Sequence, residues 1–334
     1  MKALVLNESK ESTITSLPIP KVASGQVLIK LHAAALNHRE IWIKKGLYPG
    51  MKLPCILGAD GAGTIVEVAS DVAQDHMHKE VIIYPAKDWG SSEDVPLRTF
   101  RVLGMPDPGT LSEYIVVPIE GVYPKPSHLS WPEAAALPLA GLTAWRACHK
   151  HGRIDENSSV LITGIGGGVA QAALSFCLAK GAKVYVSSSS DQKIKDAITQ
   201  GAKGGINYKD TDWTSQVKEL VGRVDVVIDS SPIDELDKYL DFLNPGARIV
   251  IYGATANRKT QFNIGKFFLR HIQIIGSTMG SPRDFKKMID FTKTHNLKPK
   301  IHKVFQFEDT IKAIEELEKG NQIGKVVIEI SSQK

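Results

Sequence analysis

The sequence predicts an α/β protein in which a β-rich domain is followed by a doubly wound parallel sheet. Three observations carry that expectation. Residues 159–193 read as strand, glycine turn, helix and strand; strand and helix patterns go on alternating as far as Gly276; and the first 125 or so residues hold short alternating apolar runs separated by turn clusters.

The glycine turn is the centre of the pattern. An apolar strand (Val160, Leu161, Ile162) runs into Gly164, Gly166, Gly167 and Gly168, and the apolar residues of the next stretch (Val169, Ala172, Ala173, Phe176, Cys177) recur at helical spacing. Gly181 falls where a left-handed helix cap is wanted, and Lys183 to Ser187 reads as the next parallel strand. Backbone N–H groups freed by such a turn, with the positive end of the helix, suit a pyrophosphate and hence a dinucleotide. The strict G-x-G-x-x-G frame meets Val169 in its third place. The frame Gly164-x-x-Gly167-Gly168-Val169-Ala170 instead puts a small residue where helix and strand must pack closely. A tight turn without a ligand has the same local pattern.

In chain order, strands are expected at Lys2 to Leu6, Gln26 to Ala33, Gly63 to Val68, Glu80 to Tyr84 and Glu113 to Pro118. Turn clusters at Leu17 to Pro20, Ala23 to Gly25 and Pro106 to Gly109 divide them. Ser127 to Pro132 changes the texture, and Glu133 to His149 reads as a helix leading to the glycines. Beyond them follow a helix Asp191 to Gln200, a strand near Ile206, a helix Thr214 to Val221 and a strand Asp225 to Asp229. Next come a helix Leu236 to Leu243 and strands Arg248 to Tyr252 and Gln273 to Gly276. After Pro282 come a helix to His295, a strand Ile301 to Phe305, a helix Glu308 to Lys319 and a strand Lys325 to Ile330.

Composition narrows the function classes. A chain of 334 residues suits two domains, and 43% hydrophobic with 23% charged residues is ordinary for a globular protein. The net charge of +5 is dispersed, which argues against a nucleic-acid partner. No apolar run is long enough to span a membrane, and MKALVLNESKE has acidic residues where a signal peptide has basic and apolar ones. Cys55, Cys148 and Cys177 are odd in number and far apart, so a disulfide framework is not expected and a reducing cytoplasm suits them.

The segments VLIKLHAAALNHREIWIKKGLYPG, LGADGAGTIVEV, GTLSEYIVVP, AAALPLAGLTAWRA, VLITGIGGGVAQAA, GAKGGINYKD, VDVVIDS and GKVVIEI span the chain. In them it resembles the medium-chain dehydrogenase/reductase superfamily, and within it the zinc-independent quinone oxidoreductase-like members. The resemblance implies a GroES-like catalytic domain over 1–127, a Rossmann domain over 128–280 and a segment 281–334 completing the first, with a cleft where nicotinamide meets substrate. Zinc-dependent members place ligands where this chain has Asn37, Ala59 and Leu139, none of which replaces a thiolate or imidazole. The lobe of the structural zinc corresponds to Tyr84 to Gly109 and holds no cysteine, so no metal is expected. His38 and Asp60, beside the first two positions, leave open an N/O-ligand metal site.

At the end of the second Rossmann strand an NAD enzyme offers a carboxylate to the ribose; here Ser188 holds that place, with Ser189 next and Lys193 nearby. Hydroxyls and a cation accept a 2′-phosphate that a carboxylate repels, so NADPH is preferred to NADH. These serines equally suit a loop and helix cap, Ser190 being the cap residue. The resemblance adds Tyr208 beside the same phosphate, Asn37 and Thr143 at the nicotinamide end, and Ser230, Gly253, Thr278 and Lys325 in later loops around the cofactor. Tyr48 is placed to position a carbonyl, and His38 is a candidate proton donor or a structural histidine.

Without zinc no Lewis acid stabilises an alkoxide, which leaves hydride transfer from NADPH to an acceptor already electrophilic, a quinone or an α,β-unsaturated carbonyl. Two alternatives remain at this stage: an NADPH-binding redox sensor or structural protein with little turnover, and a metal-dependent alcohol dehydrogenase. The resemblance also implies a homodimer joined through the last Rossmann strand, in RHIQIIGSTM.

Overall fold

The computed structural model describes residues 1–230, 236–255 and 259–331. The chain forms two compact units, residues 1–140 with 281–334, and residues 141–280.

In the first unit the long strand Gln26–Ala35, with buried residues all along it, is the spine of a seven-stranded sheet. One edge pairs antiparallel with Asp60–Val68, placing Ala35 opposite Asp60. The other edge is shared: Tyr114–Pro118 pairs with its first half, and Lys325–Glu329 with its second, Val327 opposite Ala35. Strand Ile301–Gln306 continues the sheet in parallel with Lys325–Glu329. The C-terminal segment therefore supplies one inner strand and one edge strand of the first unit; its last three residues lie outside the described ones.

Residues 128–140 also belong to this unit, where the sequence reading began the Rossmann domain at 128. The reason is packing. Ser130 caps the helix Trp131–Ala136 through a capping box with Glu133, and the helix buries Ala134, Ala135 and Ala136. The helix expected over Glu133 to His149 is broken as well. Pro138, which has no N–H to donate, opens a second helix, Pro138–Trp145, and a π-helical turn, Arg146–His151, follows.

The second unit is a six-stranded sheet whose pairings are all parallel. Its strands in chain order are Ser159–Ile162, Lys183–Ser188, Gly204–Asn207, Val224–Asp229, Leu243–Ile251 and Gln273–Gly276, and their spatial order is 3-2-1-4-5-6. Val160, Leu161 and Ile162 are fully buried at its centre. The expected helix Leu236 to Leu243 is a 3₁₀ segment, Leu236–Asp241, because Leu243 already pairs with Val224 as a strand residue. A short helix, Ile264–Leu269, capped by Asn263, was not foreseen.

Candidate active site

In the second unit the glycine turn has the geometry a phosphate cradle needs. Gly164 has φ +62, which an L side chain adopts only under strain, and among the described residues a Cβ there would meet only Ser230 Oγ, at 3.6 Å. Gly167 is the N-cap and the helix Gly168–Ala179 begins at the next residue, so the N–H groups of Gly168, Val169 and Ala170 have no partner within the helix. Ala170 is fully buried, which favours the second of the two glycine frames. The positive φ of Gly181 puts it in the left-handed region expected of it.

Side chains that the sequence reading passed over hold this turn. Gln171 Nε2 donates to the Ile165 carbonyl at 2.7 Å and Gln200 Nε2 donates to Gln171 Oε1 at 3.0 Å. Beneath them the buried Asp229 accepts from Thr163 Oγ1 at 2.6 Å and from the Tyr239 hydroxyl at 2.8 Å. Burial and the adjoining Asp229 carboxylate push the Tyr239 phenol well above its ordinary value. Ser230 and Gly253 meet at the carboxyl ends of strands four and five, a Cβ on Gly253 coming within 3.5 Å of Ser230. Thr278 lies just past the last strand and is exposed. Thr143 is buried.

At the end of the second strand Ser188 is buried and its Oγ accepts the Ser190 N–H at 3.2 Å, a contact within its own loop that leaves the hydroxyl proton to donate. Ser189 is half-buried, and Tyr208, 45% exposed, is held next to Ser188 by its N–H on the Ser188 carbonyl at 3.0 Å. Lys193 stands in the first turn of the helix Asp191–Thr199, where burial lowers its pKa from the ordinary lysine value.

In the first unit the sheet brings together residues far apart in the chain. Leu36 N–H donates to the Val326 carbonyl, so Asn37 follows one strand directly while Asp60 and Lys325 begin its two neighbours. Lys325 Nζ donates to Asn37 Oδ1 at 2.5 Å and to Asp60 Oδ2 at 2.9 Å, and Asn37 Nδ2 donates to the same Asp60 oxygen at 2.9 Å. The other Asp60 oxygen accepts the Leu139 N–H at 2.7 Å. All three side chains are buried, Asp60 completely. Thus Asn37, expected at the nicotinamide end, and Lys325, expected in a cofactor loop, are one hydrogen-bonded group. Asp60 closes it.

Around this group Glu40 Oε2 accepts the Asn37 N–H at 2.7 Å in a capping box that starts the helix His38–Lys44. Burial, opposed by Arg39 and the Asn37 N–H, raises the Glu40 pKa above its ordinary value. Arg39 donates to the Leu103 carbonyl at 2.5 Å and its guanidinium lies 4.8 Å from the Tyr48 ring centre, which engages the ring that was expected to position a carbonyl. His38 is exposed at the first helical position.

Asn37, Ala59 and Leu139 present an amide, a methyl and an isobutyl group, and the Asn37 and Asp60 oxygens already accept an ammonium. Among the described residues no three His, Cys, Asp or Glu side chains are grouped to hold a metal. A dinucleotide does fit the second unit, at the open glycine turn.

A parallel sheet in this order, with a glycine-led helix leaving its first strand, defines a Rossmann-type dinucleotide-binding protein. Residues 23–127 match the alcohol dehydrogenase GroES-like domain and residues 168–294 the zinc-binding dehydrogenase family. The zinc-type alcohol dehydrogenase-like protein YogA of Leptosphaeria maculans is 37% identical over 95% of this chain and 93% of its own length. A solved NAD-dependent alcohol dehydrogenase is 32% identical, covers 99% of this chain and all of its own, and superposes with a TM-score of 0.92. Acryloyl-coenzyme A reductase of Metallosphaera sedula is 28% identical over 98% of this chain and 99% of its own length. The chain belongs to the medium-chain dehydrogenase/reductase superfamily of oxidoreductases.

Proposed function

We propose that the protein is an NADPH-dependent reductase that delivers hydride to a quinone or an α,β-unsaturated carbonyl without zinc. The observation that carries this reading is the Lys325 ammonium on Asn37 and Asp60, which occupies with N–H donors the oxygens a metal would need. That contact disfavours alcohol oxidation through a zinc alkoxide, whereas an acceptor conjugated to a carbonyl needs only orientation and hydrogen bonds for the charge it develops. Acryloyl-coenzyme A reductase, by its name, acts on such a conjugated double bond. When bound, the cofactor supplies the hydride. The glycine turn and the N–H groups of Gly168 and Val169 hold its pyrophosphate; Ser189, Lys193 and Tyr208 receive the 2′-phosphate, Lys193 recovering in that contact the charge stabilisation it loses to burial. Ser230, Gly253 and Thr278 line the strand ends nearby.

The test is NADPH and NADH consumption by chelator-treated protein against quinones, 2-alkenals and cyclic enones, with alcohol oxidation in parallel. Turnover with NADPH that survives chelation is expected. Activity that appears only with added zinc would overturn the reading, and tight NADPH binding with no turnover on any acceptor would favour a sensor or structural role.

We also infer a homodimer. Strand Gln273–Gly276 ends the six-stranded sheet with its outer residues exposed, and the helix before it leaves Ile264, Phe268 and Leu269 at 70%, 64% and 72% exposure. Two copies pairing edge to edge would cover both features. Light scattering is expected to give twice the chain mass and Phe268→Glu with Ile274→Lys the single mass; a wild-type monomer would refute the dimer.

A further inference from the structure

We propose that Lys325 supplies the positive charge of the reduction, donating its remaining N–H to the carbonyl oxygen of the acceptor as negative charge develops there. This rests on the reductase reading and replaces the cofactor-loop role that sequence alone suggests for Lys325.

An ammonium carries three N–H donors. Asn37 Oδ1 and Asp60 Oδ2 take two, and the third meets no acceptor among the described residues. The group is costly to keep. Lys325 is 5% exposed and Asp60 wholly buried, and apolar residues of similar volume often stabilise a fold as well as such a pair or better. An internal ion pair kept under those conditions points to use rather than to packing.

The ammonium is also fixed in position. Gly324 has φ +93 and a Cβ there would come within 2.2 Å of the Lys300 carbonyl oxygen, so only glycine lets the chain enter the strand at Lys325. Lys325 N–H then donates to that same carbonyl at 2.9 Å. Asp60 cannot turn away without losing the Leu139 N–H, nor Asn37 without losing Asp60. The neighbouring candidates are otherwise engaged or turned outward: Arg39 donates to the Leu103 and Met105 carbonyls, and His38 is exposed.

In the step this implies, a C–H bond of the reduced nicotinamide would break as its hydride forms a C–H bond at the β-carbon, so that NADPH is oxidised by two electrons and the acceptor reduced by two. The C=C π pair shifts toward the carbonyl, whose oxygen becomes an enolate stabilised by the Lys325 N–H, and water then gives a proton to the α-carbon. Lys325 remains an ammonium throughout. The bonds Asn37 and Asp60 accept keep it aimed while no substrate is present, so no reorganisation is needed when charge develops.

The experiment compares Lys325→Met, Lys325→Arg and the double variant Asp60→Asn/Lys325→Met, reading kcat and KM for one enone, NADPH affinity by fluorescence, and thermal melting. Lys325→Met alone leaves Asp60 uncompensated; the double variant removes both charges and restores neutrality. If Lys325 is the working cation, the double variant melts close to wild type and binds NADPH within threefold, yet its kcat falls by about 100-fold or more. Lys325→Arg is expected to recover at least a tenth of the activity. Double-variant kcat within threefold of wild type would mean that Lys325 only balances Asp60, and a loss confined to NADPH affinity would return it to the cofactor; either overturns the proposal. Should the double variant fail to fold, methylammonium added to Lys325→Ala decides, restored turnover supporting the proposal and none refuting it. A wild-type enzyme inactive on every acceptor would instead remove the reductase reading itself.

Discussion

The two units build their sites from different material. In the second unit the glycine turn is backbone: a positive φ, a helix start and the ends of parallel strands, supported from below by Gln171 and Asp229. In the first unit the group is made of side chains, Lys325 lying 288 positions from Asn37 and 265 from Asp60. A site of backbone is broken by adding atoms, because its function is the space it leaves. A site of buried charges is broken by removing them, because each is tolerable only beside its partner.

The largest effect should come from removal. Asp60→Leu leaves the Lys325 ammonium buried with Asn37 alone and leaves the Leu139 N–H without its acceptor. A loss of about 3–5 kcal/mol is expected for breaking such a pair, read as a lower denaturant midpoint of the first unit. A loss below about 1 kcal/mol would mean water enters the site and the contrast with the second unit is weaker than drawn.

Addition is the corresponding test of the glycine turn. Gly164→Val places a β-branched residue at φ +62, at a cost of roughly 1–2 kcal/mol. It also projects carbon atoms into the cradle. Dinucleotide affinity is expected to fall by about 100-fold or more while the first unit melts unchanged. Affinity within threefold of wild type, measured by fluorescence titration, would show that the turn does not hold the pyrophosphate.

The same contrast explains what was legible in the sequence. The Rossmann strands, the glycine turn and Gly181 are local features, encoded by neighbours within a few residues, and they are legible to within a residue or two except for the fifth strand, which starts at Leu243 and not at the expected Arg248. The Asn37, Asp60 and Lys325 group arises only when Asp60–Val68 and Lys325–Glu329 pair on opposite edges of Gln26–Ala35, and nothing in 37, 60 or 325 alone announces it. Its one sequence trace was a carboxylate in the otherwise apolar and glycine-rich LGADGAG. The break at Pro138 is encoded locally, in a residue without an N–H, inside an otherwise apolar run.

A smaller effect tests the adenosine end. Burial lowers the Lys193 pKa, so the ammonium of the cofactor-free protein deprotonates below the ordinary lysine range, and a bound 2′-phosphate would oppose that loss. The proton is taken up by the Lys193 amine, whose ammonium the phosphate dianion stabilises, so NADPH affinity should fall with rising pH somewhat below that range, while NADH affinity stays flat over the same interval. Lys193→Met is expected to weaken NADPH by about 10- to 100-fold, the loss of one charge-assisted contact, and to flatten its pH profile. Equal losses for NADH and NADPH would place Lys193 away from the phosphate.

The smallest effect returns to the first unit, where buried charge has a signature in pH. Burial raises the folded-state pKa of Glu40 above the value it has when unfolded. From about pH 4.3 upward the folded state then holds more protons at this group than the unfolded state, so its contribution to stability falls as pH rises through that window. Glu40→Gln keeps an acceptor for the Asn37 N–H and does not titrate. Relative to wild type the variant should gain stability with increasing pH and level off once Glu40 is ionised in both states, a trend that paired denaturant midpoints across the acid range would resolve. The opposite drift would mean that the pairing with Arg39, at 3.4 Å, outweighs the loss of water, and that this charge stabilises the first unit instead of being tolerated by it.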